Sequence, residues 1–185
     1  EFIMLHAVDV ANFFIDLARN EKEGSITNLK LNKLLYFAQA WALARNGKPL
    51  FSDEIQAWDY GPVVPNVYHT FKVCGDNNIE HTADDYSPDK FNDEDIQLLL
   101  DVYREYGKYS ASALVEITHN EKPWKTRYRC GEHDIPIPNS LIKEAYKGKE
   151  LPSFSLPELG EECFIGYRNA DNVLVLPAEE DDDYE

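Results

Sequence analysis

The sequence predicts a mainly α-helical domain of about five to six helices, with a small antiparallel β element and a C-terminal β-hairpin. Three observations lead there. Apolar residues recur at helical spacing in successive windows, glycine or proline punctuates the ends of those windows, and runs of strand character are few and short. A chain of 185 residues with 43% hydrophobic and 12% aromatic residues can bury one sizeable core. Glu1, Phe2 and Ile3 stand ahead of the only methionine, Met4, and are expected to be added residues outside the fold.

The first helix is expected from about Val8 to Arg19, where Val8, Ala11, Phe14, Ile15 and Ala18 form one face and Asp9 and Asn12 fall outside it. Thr27 or Asn28 can cap a longer second helix, Leu29 to Arg45, with Leu31, Leu34, Leu35, Ala38, Trp41, Ala42 and Arg45 as its stripe and Gly47 placed for a left-handed stop. Trp41 can be a core plug or a groove wall. Lys30 and Lys33 lie in the first turn, where positive charge opposes the helix dipole, so solvent exposure is the expectation for both.

EIQAWDY, residues 54–60, alternates like a short strand, with Ile55, Ala57 and Asp59 on one face and Gln56, Trp58 and Tyr60 on the other. It runs into WDYGPVVP, residues 58–65. Gly61 and Val64 each precede a proline and are pushed towards extended backbone, while Pro65 suits the first turn of a short helix through NVYHTFKVC. Two prolines restrict the unfolded chain here, so the corner is preorganised at a low entropic cost. Residues 75–86 read as an acidic loop. Asn92 and Asp95 have the spacing of a capping box for a helix from Asp93 to Tyr106, closed by Gly107. Ser110 or Ser112 caps a helix ending near His119, and PIPNSLIKEAYKG makes one more, with Pro138 early and Gly148 as its stop. ECFIGY and NVLVLP, joined by RNAD, read as a hairpin, and EEDDDYE as an acidic frayed end. The expected divisions are a domain over 4–148, a hairpin extension packed on it over 149–178, and a disordered tail over 179–185.

The net charge of −16 opposes a broad basic face for nucleic acid, so no direct nucleic-acid binding is expected and a basic partner is favoured. Three cysteines give no disulfide framework, no apolar run reaches membrane-spanning length, and the expected location is the cytoplasm. Cys74 reads as a small buried hydrophobe. Cys130 and His133 form a single C-x2-H pair that Cys163 or another histidine would have to complete, half of what structural zinc motifs usually present, so no metal and no cofactor is expected. His119, with Glu121 as an orienting partner, has the chemistry of a general base, yet no nucleophile elbow, phosphate loop or catalytic carboxylate pair accompanies it. A capping or packing histidine is the reading preferred, and no catalytic residue is assigned.

KLNKLLYFAQAWALARNGKPLF, EIQAWDYGPVVPNVYHTFK and LVEITHNEKPW follow one another in this order, and over about residues 5–147 the chain resembles the Panacea domain of SocA-like antitoxins, also met in phage-associated proteins. The resemblance implies a mostly helical, non-enzymatic domain that neutralises a cognate protein toxin by direct binding. One member of that family presents its toxin to a cytosolic protease, so a proteolytic adaptor is the alternative; a small hydrolase or metal enzyme using His119, or Cys130 with His133, is a third. Tyr60, Gly61, Pro62, Val63 and Pro65 are first of all structural, fixing how strand and helix meet. Trp58, Tyr60, Pro62, Val63, Val64, Tyr68, His119 and Trp124 are the candidate partner-binding residues. The acidic excess fits plain solubility, steering of a basic toxin, or imitation of DNA's charge, in that order.

Overall fold

The computed structural model describes residues 4–21, 24, 26–83, 86–152, 167–168 and 174–175. Its described helices are α1 (Ala7–Arg19), α2 (Asn28–Asn46), α3 (Pro65–Phe71), α4 (Asp93–Tyr106), α5 (Ala111–His119), α6 (Lys122–Arg127) and α7 (Asn139–Tyr146). Two short strands, β1 (Gln56–Trp58) and β2 (Gly61–Val63), pair antiparallel. Residues 1–152 form one compact unit and 153–185 a second. In the second, β3 (Tyr167–Arg168) pairs antiparallel with β4 (Leu174–Val175); the rest of the expected hairpin and the acidic tail lie outside the described residues.

Helix α2 is the axle of the first unit. It packs on α1, α3, α4, α5, α7 and β2, so nearly every side chain from Leu31 to Leu43 is buried. A helix surrounded on all sides has no solvent face, and its polar residues must find partners inside. The expectation of exposed lysines at its start is therefore corrected at Lys33, which is completely buried and donates to Pro62 O at 2.7 Å. Lys30 is half-buried and donates to Gly107 O at 2.6 Å, tying α2 to the end of α4. Trp41 proves to be a core residue, donating its indole N–H to Tyr106 OH at 3.0 Å.

The caps form where the side-chain chemistry allows. Thr27 accepts from the Lys30 amide, Asn92 from the Asp95 amide and Ser110 from the Ala113 amide, each satisfying an orphan N–H of a first turn. Gly47 closes α2 with φ +71°. On α1 the sequence periodicity misassigns two positions. Asp9 and Asn12, expected outside the stripe, are buried, and Val8 is partly exposed. The polar pair is used: Asp9 accepts from the His6 amide and from Lys90 Nζ, while Asn12 Oδ1 accepts from the Ala83 amide. Helix α6 was not anticipated, since its six residues are too few to show a period. Cys74 is half-buried at the core's edge, in a short 3-10 turn that follows α3.

The corner differs from a plain strand-to-helix joint. The strand expected over 54–60 is limited to Gln56–Trp58, and the chain reverses at Asp59–Tyr60, so that Trp58 faces Gly61 across a tight hairpin. Gly61 has φ +96°, a conformation unfavourable for any residue with a β-carbon and one that the rule for pre-proline positions does not anticipate. Residues 135–137 line the outer edge of β1, through Ala57 N to Ile135 O at 2.9 Å and Ile137 N to Ile55 O at 2.7 Å.

Candidate partner-binding site

The hairpin is held from below by α2. Lys33 binds the Pro62 carbonyl, and Asn32 Oδ1 accepts from the Val64 amide at 2.9 Å. Asn32 is itself fixed by donating to the Asn28 carbonyl and to Asn28 Oδ1, both at 2.9 Å, and Asn28 donates to Tyr68 O on α3. A single buried row of side chains thus sets the position of β2 and α3 together. The Pro62 carbonyl of β2 and the Val64 amide at the N-cap of α3 are thereby satisfied by side chains, as buried polar groups require.

From the side, the hairpin rests on a ladder of stacked rings. His119 stacks on Trp124 with centroids 3.9 Å apart, and Trp124 stacks on Tyr128 at 4.4 Å. Trp124 Nε1 donates to Trp58 O at 2.9 Å, and Tyr128 OH donates to Asp59 Oδ1 at 3.0 Å. That bond to Asp59 is the main reason the Tyr128 phenol is pushed up to about 12. Burial lowers the pKa of His119, a hydrogen bond that the ring donates to the Asp59 backbone carbonyl opposes this, and the Lys33 charge lowers it further. Burial alone lowers Lys33 to about 7.

Glu121 does not orient His119. Its two carboxylate oxygens take the phenols of Tyr36 at 2.6 Å and Tyr146 at 2.7 Å, a clamp between α2, α6 and α7. Burial, first, and the neighbouring carboxylate raise both phenols well above their usual range. The His119 ring is engaged in stacking, and its buried Nε2 has no hydrogen-bond partner among the described residues.

On the open side of the hairpin lies a groove of about 710 Å³. Trp58, Tyr60, Val63 and Tyr68 line it, with the start of α2 as its floor. Tyr60 is 69% exposed and Tyr68 37%, while Trp58 is half-buried and meets Tyr68 edge to face at 5.0 Å. The structure brings together four of the eight candidate residues here. The other four, Pro62, Val64, His119 and Trp124, stand behind the groove: Pro62, Val64 and Trp124 are buried and His119 is covered by Trp124, so their place is to support the hairpin. Sequence reasoning missed Asp59, Asp76 and Asn32 in this lining, because each is a common polar residue whose spacing carries no motif. Cys130 and His133 are exposed; His133 joins the groove wall, its ring 6.3 Å from that of Trp58, and Cys163 lies outside the described residues. Among the described residues no group of three His, Cys, Asp or Glu gathers at a potential metal site, and no helix is long and apolar enough to cross a membrane.

A helical domain that supports a stiff, aromatic-lined groove on a buried polar row has the build of a binding module. The chain belongs to the family described as Antitoxin SocA-like, Panacea domain, whose pattern it matches over residues 31–125. It is 36% identical over 171 residues, covering 82% of this chain and 88% of the other, to a protein named Antitoxin SocA from Caulobacter vibrioides (strain NA1000 / CB15N). No solved structure matches it. The matched span contains α2 from Leu31 onward and the whole WDYGPVVP hairpin, so most of the groove lining, Thr27, Asn28, Leu29 and His133 apart, lies in the family's own segment.

Proposed function

We propose that this chain is the antitoxin of a toxin–antitoxin pair and neutralises its cognate toxin by direct binding, with the groove beside the hairpin as the docking surface. Membership of the antitoxin family supports the role. The observation that carries the mode of action is the exposure of Tyr60 on the hairpin and of Tyr68 on the adjoining α3, with the hairpin fixed by Lys33, Asn32 and Trp124. Large aromatic groups held on a rigid support lose little entropy on association, which is why such residues dominate interface energetics. The acidic surface, at a net charge of −16, speeds encounter with a basic partner and adds less to the lifetime of the complex. Covering the toxin's active site or substrate groove would then block its action.

Co-expression with the product of the adjacent gene tests this, reading growth and then co-purification. Rescue and a stable complex are expected, and Tyr60→Ser with Tyr68→Ser weakens the complex by roughly tenfold or more while leaving the melting transition cooperative. An intact complex with the double variant would move the interface elsewhere. Falling toxin levels in place of a stable complex would favour delivery to a protease.

A further inference from the structure

We propose that the groove recognises a cationic side chain, an arginine or lysine projecting from the partner, seated on the exposed ring surface of Trp58 and Tyr68 and against the carboxylates of Asp59 and Asp76. This rests on the docking reading above and states what the groove takes hold of. Trp58 and Tyr68 stand at 68° to one another with centroids 5.0 Å apart, so two ring systems form adjoining walls, and the exposed Tyr60 forms a third. The faces of such rings carry negative electrostatic potential and attract ammonium or guanidinium groups within about 6 Å. An indole and two phenols around one opening make a site suited to a cation that is also partly apolar.

The charges at the rim agree. Asp59 commits Oδ1 to Tyr128, and Oδ2 is left to an incoming donor; Asp76 is an exposed carboxylate on the same lining. Lys72 also lines the groove, so among the described residues the opening holds two carboxylates against one ammonium. An apolar side chain seated there would strip water from Asp59 and Asp76 without replacing their hydrogen bonds, which is unfavourable. A guanidinium replaces those bonds and lies flat on the indole. The groove is therefore selective for charge as well as for shape.

The probe is a short arginine peptide, N-acetyl-Gly-Arg-Gly-amide, compared with the same peptide carrying the neutral isostere citrulline, both titrated into the full chain. The indole N–H resonance of Trp58 reports the groove; that of Trp41, which donates to Tyr106 OH in the core, serves as the internal reference. The expected result is a Trp58 shift with arginine at least about fivefold tighter than with citrulline. The preference is lost in the Asp59→Asn, Asp76→Asn double variant, in which asparagine can still accept from Tyr128. Equal binding of the two peptides, a preference that survives the double variant, or an arginine peptide that leaves Trp58 unmoved would overturn the proposal. The co-purification assay separates this from the docking reading. If the Tyr60→Ser, Tyr68→Ser variant releases the toxin while the peptides show no charge preference, the cationic occupant falls and docking stands; if that variant keeps the toxin, both fall.

Discussion

Lys33 is an unusual residue to find at the centre of a helical core, fully buried and bonded to a neutral carbonyl. Its folded pKa of about 7 lies below the ordinary 10.5, so between those values the unfolded chain holds a proton that the folded chain has released. Stability must then rise as pH increases through that window. The partly buried His119 acts in the same sense at lower pH, its contribution to stability being lost as the medium falls below its ordinary 6.5. Urea midpoints of the native chain should climb from pH 7 to about pH 9.5, and Lys33→Met should flatten the climb; an equal slope in both would show that Lys33 is not the titrating group. Gly61, directly above, is limited by space as well as by backbone. A β-carbon there would stand 2.7 Å from Thr118 Oγ1 and 2.9 Å from Lys33 Cε, at φ +96°. Strain and overpacking together make Gly61→Ala cost about 2–4 kcal/mol, a fall of roughly 5 °C or more in Tm. A melting point within 1 °C of the native chain, as an order-of-magnitude margin, would refute that crowding.

At the scale of elements, α6 is a joint that the sequence conceals. Its N-cap residue, Glu121, receives the phenols of Tyr36 and Tyr146 and so links α2 to α7 across the short helix. Hydrogen bonds to a charged acceptor are the strong kind, about 1.5–3 kcal/mol, and leaving two buried phenols without an acceptor costs comparably. Glu121→Ala should therefore destabilise by about 3 kcal/mol or more, and a cycle pairing it with Tyr36→Phe should be non-additive by about 1 kcal/mol, measured by denaturant unfolding. Additive losses would mean the clamp does not act as a unit. The sequence displayed the long helices because their caps are local: Thr27, Asn92, Ser110 and Gly47 each act within a turn of themselves. It hid the burial of Asp9, Asn12 and Lys33 because their partners, Lys90, Ala83 and Pro62, lie 81, 71 and 29 residues away. The groove was half legible for the same reason. Trp58, Tyr60, Val63 and Tyr68 share one stiff segment, whereas Asp76 and His133 arrive from elsewhere in the chain.

Over the whole molecule, charge and contact are carried by different parts of the sequence. Residues 150–185 contain eleven acidic residues and one basic, so they supply −10 of the net −16, while the aromatic groove belongs to the segment shared with the family. Long-range attraction depends on total charge and is screened over about 8–10 Å at physiological salt, whereas ring contacts act only after encounter. The two contributions should therefore separate in kinetics against a basic toxin. Replacing the carboxylates of residues 179–183 and 185 by their amides should slow association by roughly threefold to tenfold at low salt and flatten its salt dependence, with dissociation nearly unchanged. Tyr68→Ser should do the reverse, speeding dissociation and leaving the salt slope of association as it was. Surface plasmon resonance at two ionic strengths distinguishes them. A tail variant that speeds dissociation would mean that the acidic residues touch the partner in the bound state, and the acidic segment would then belong to the interface.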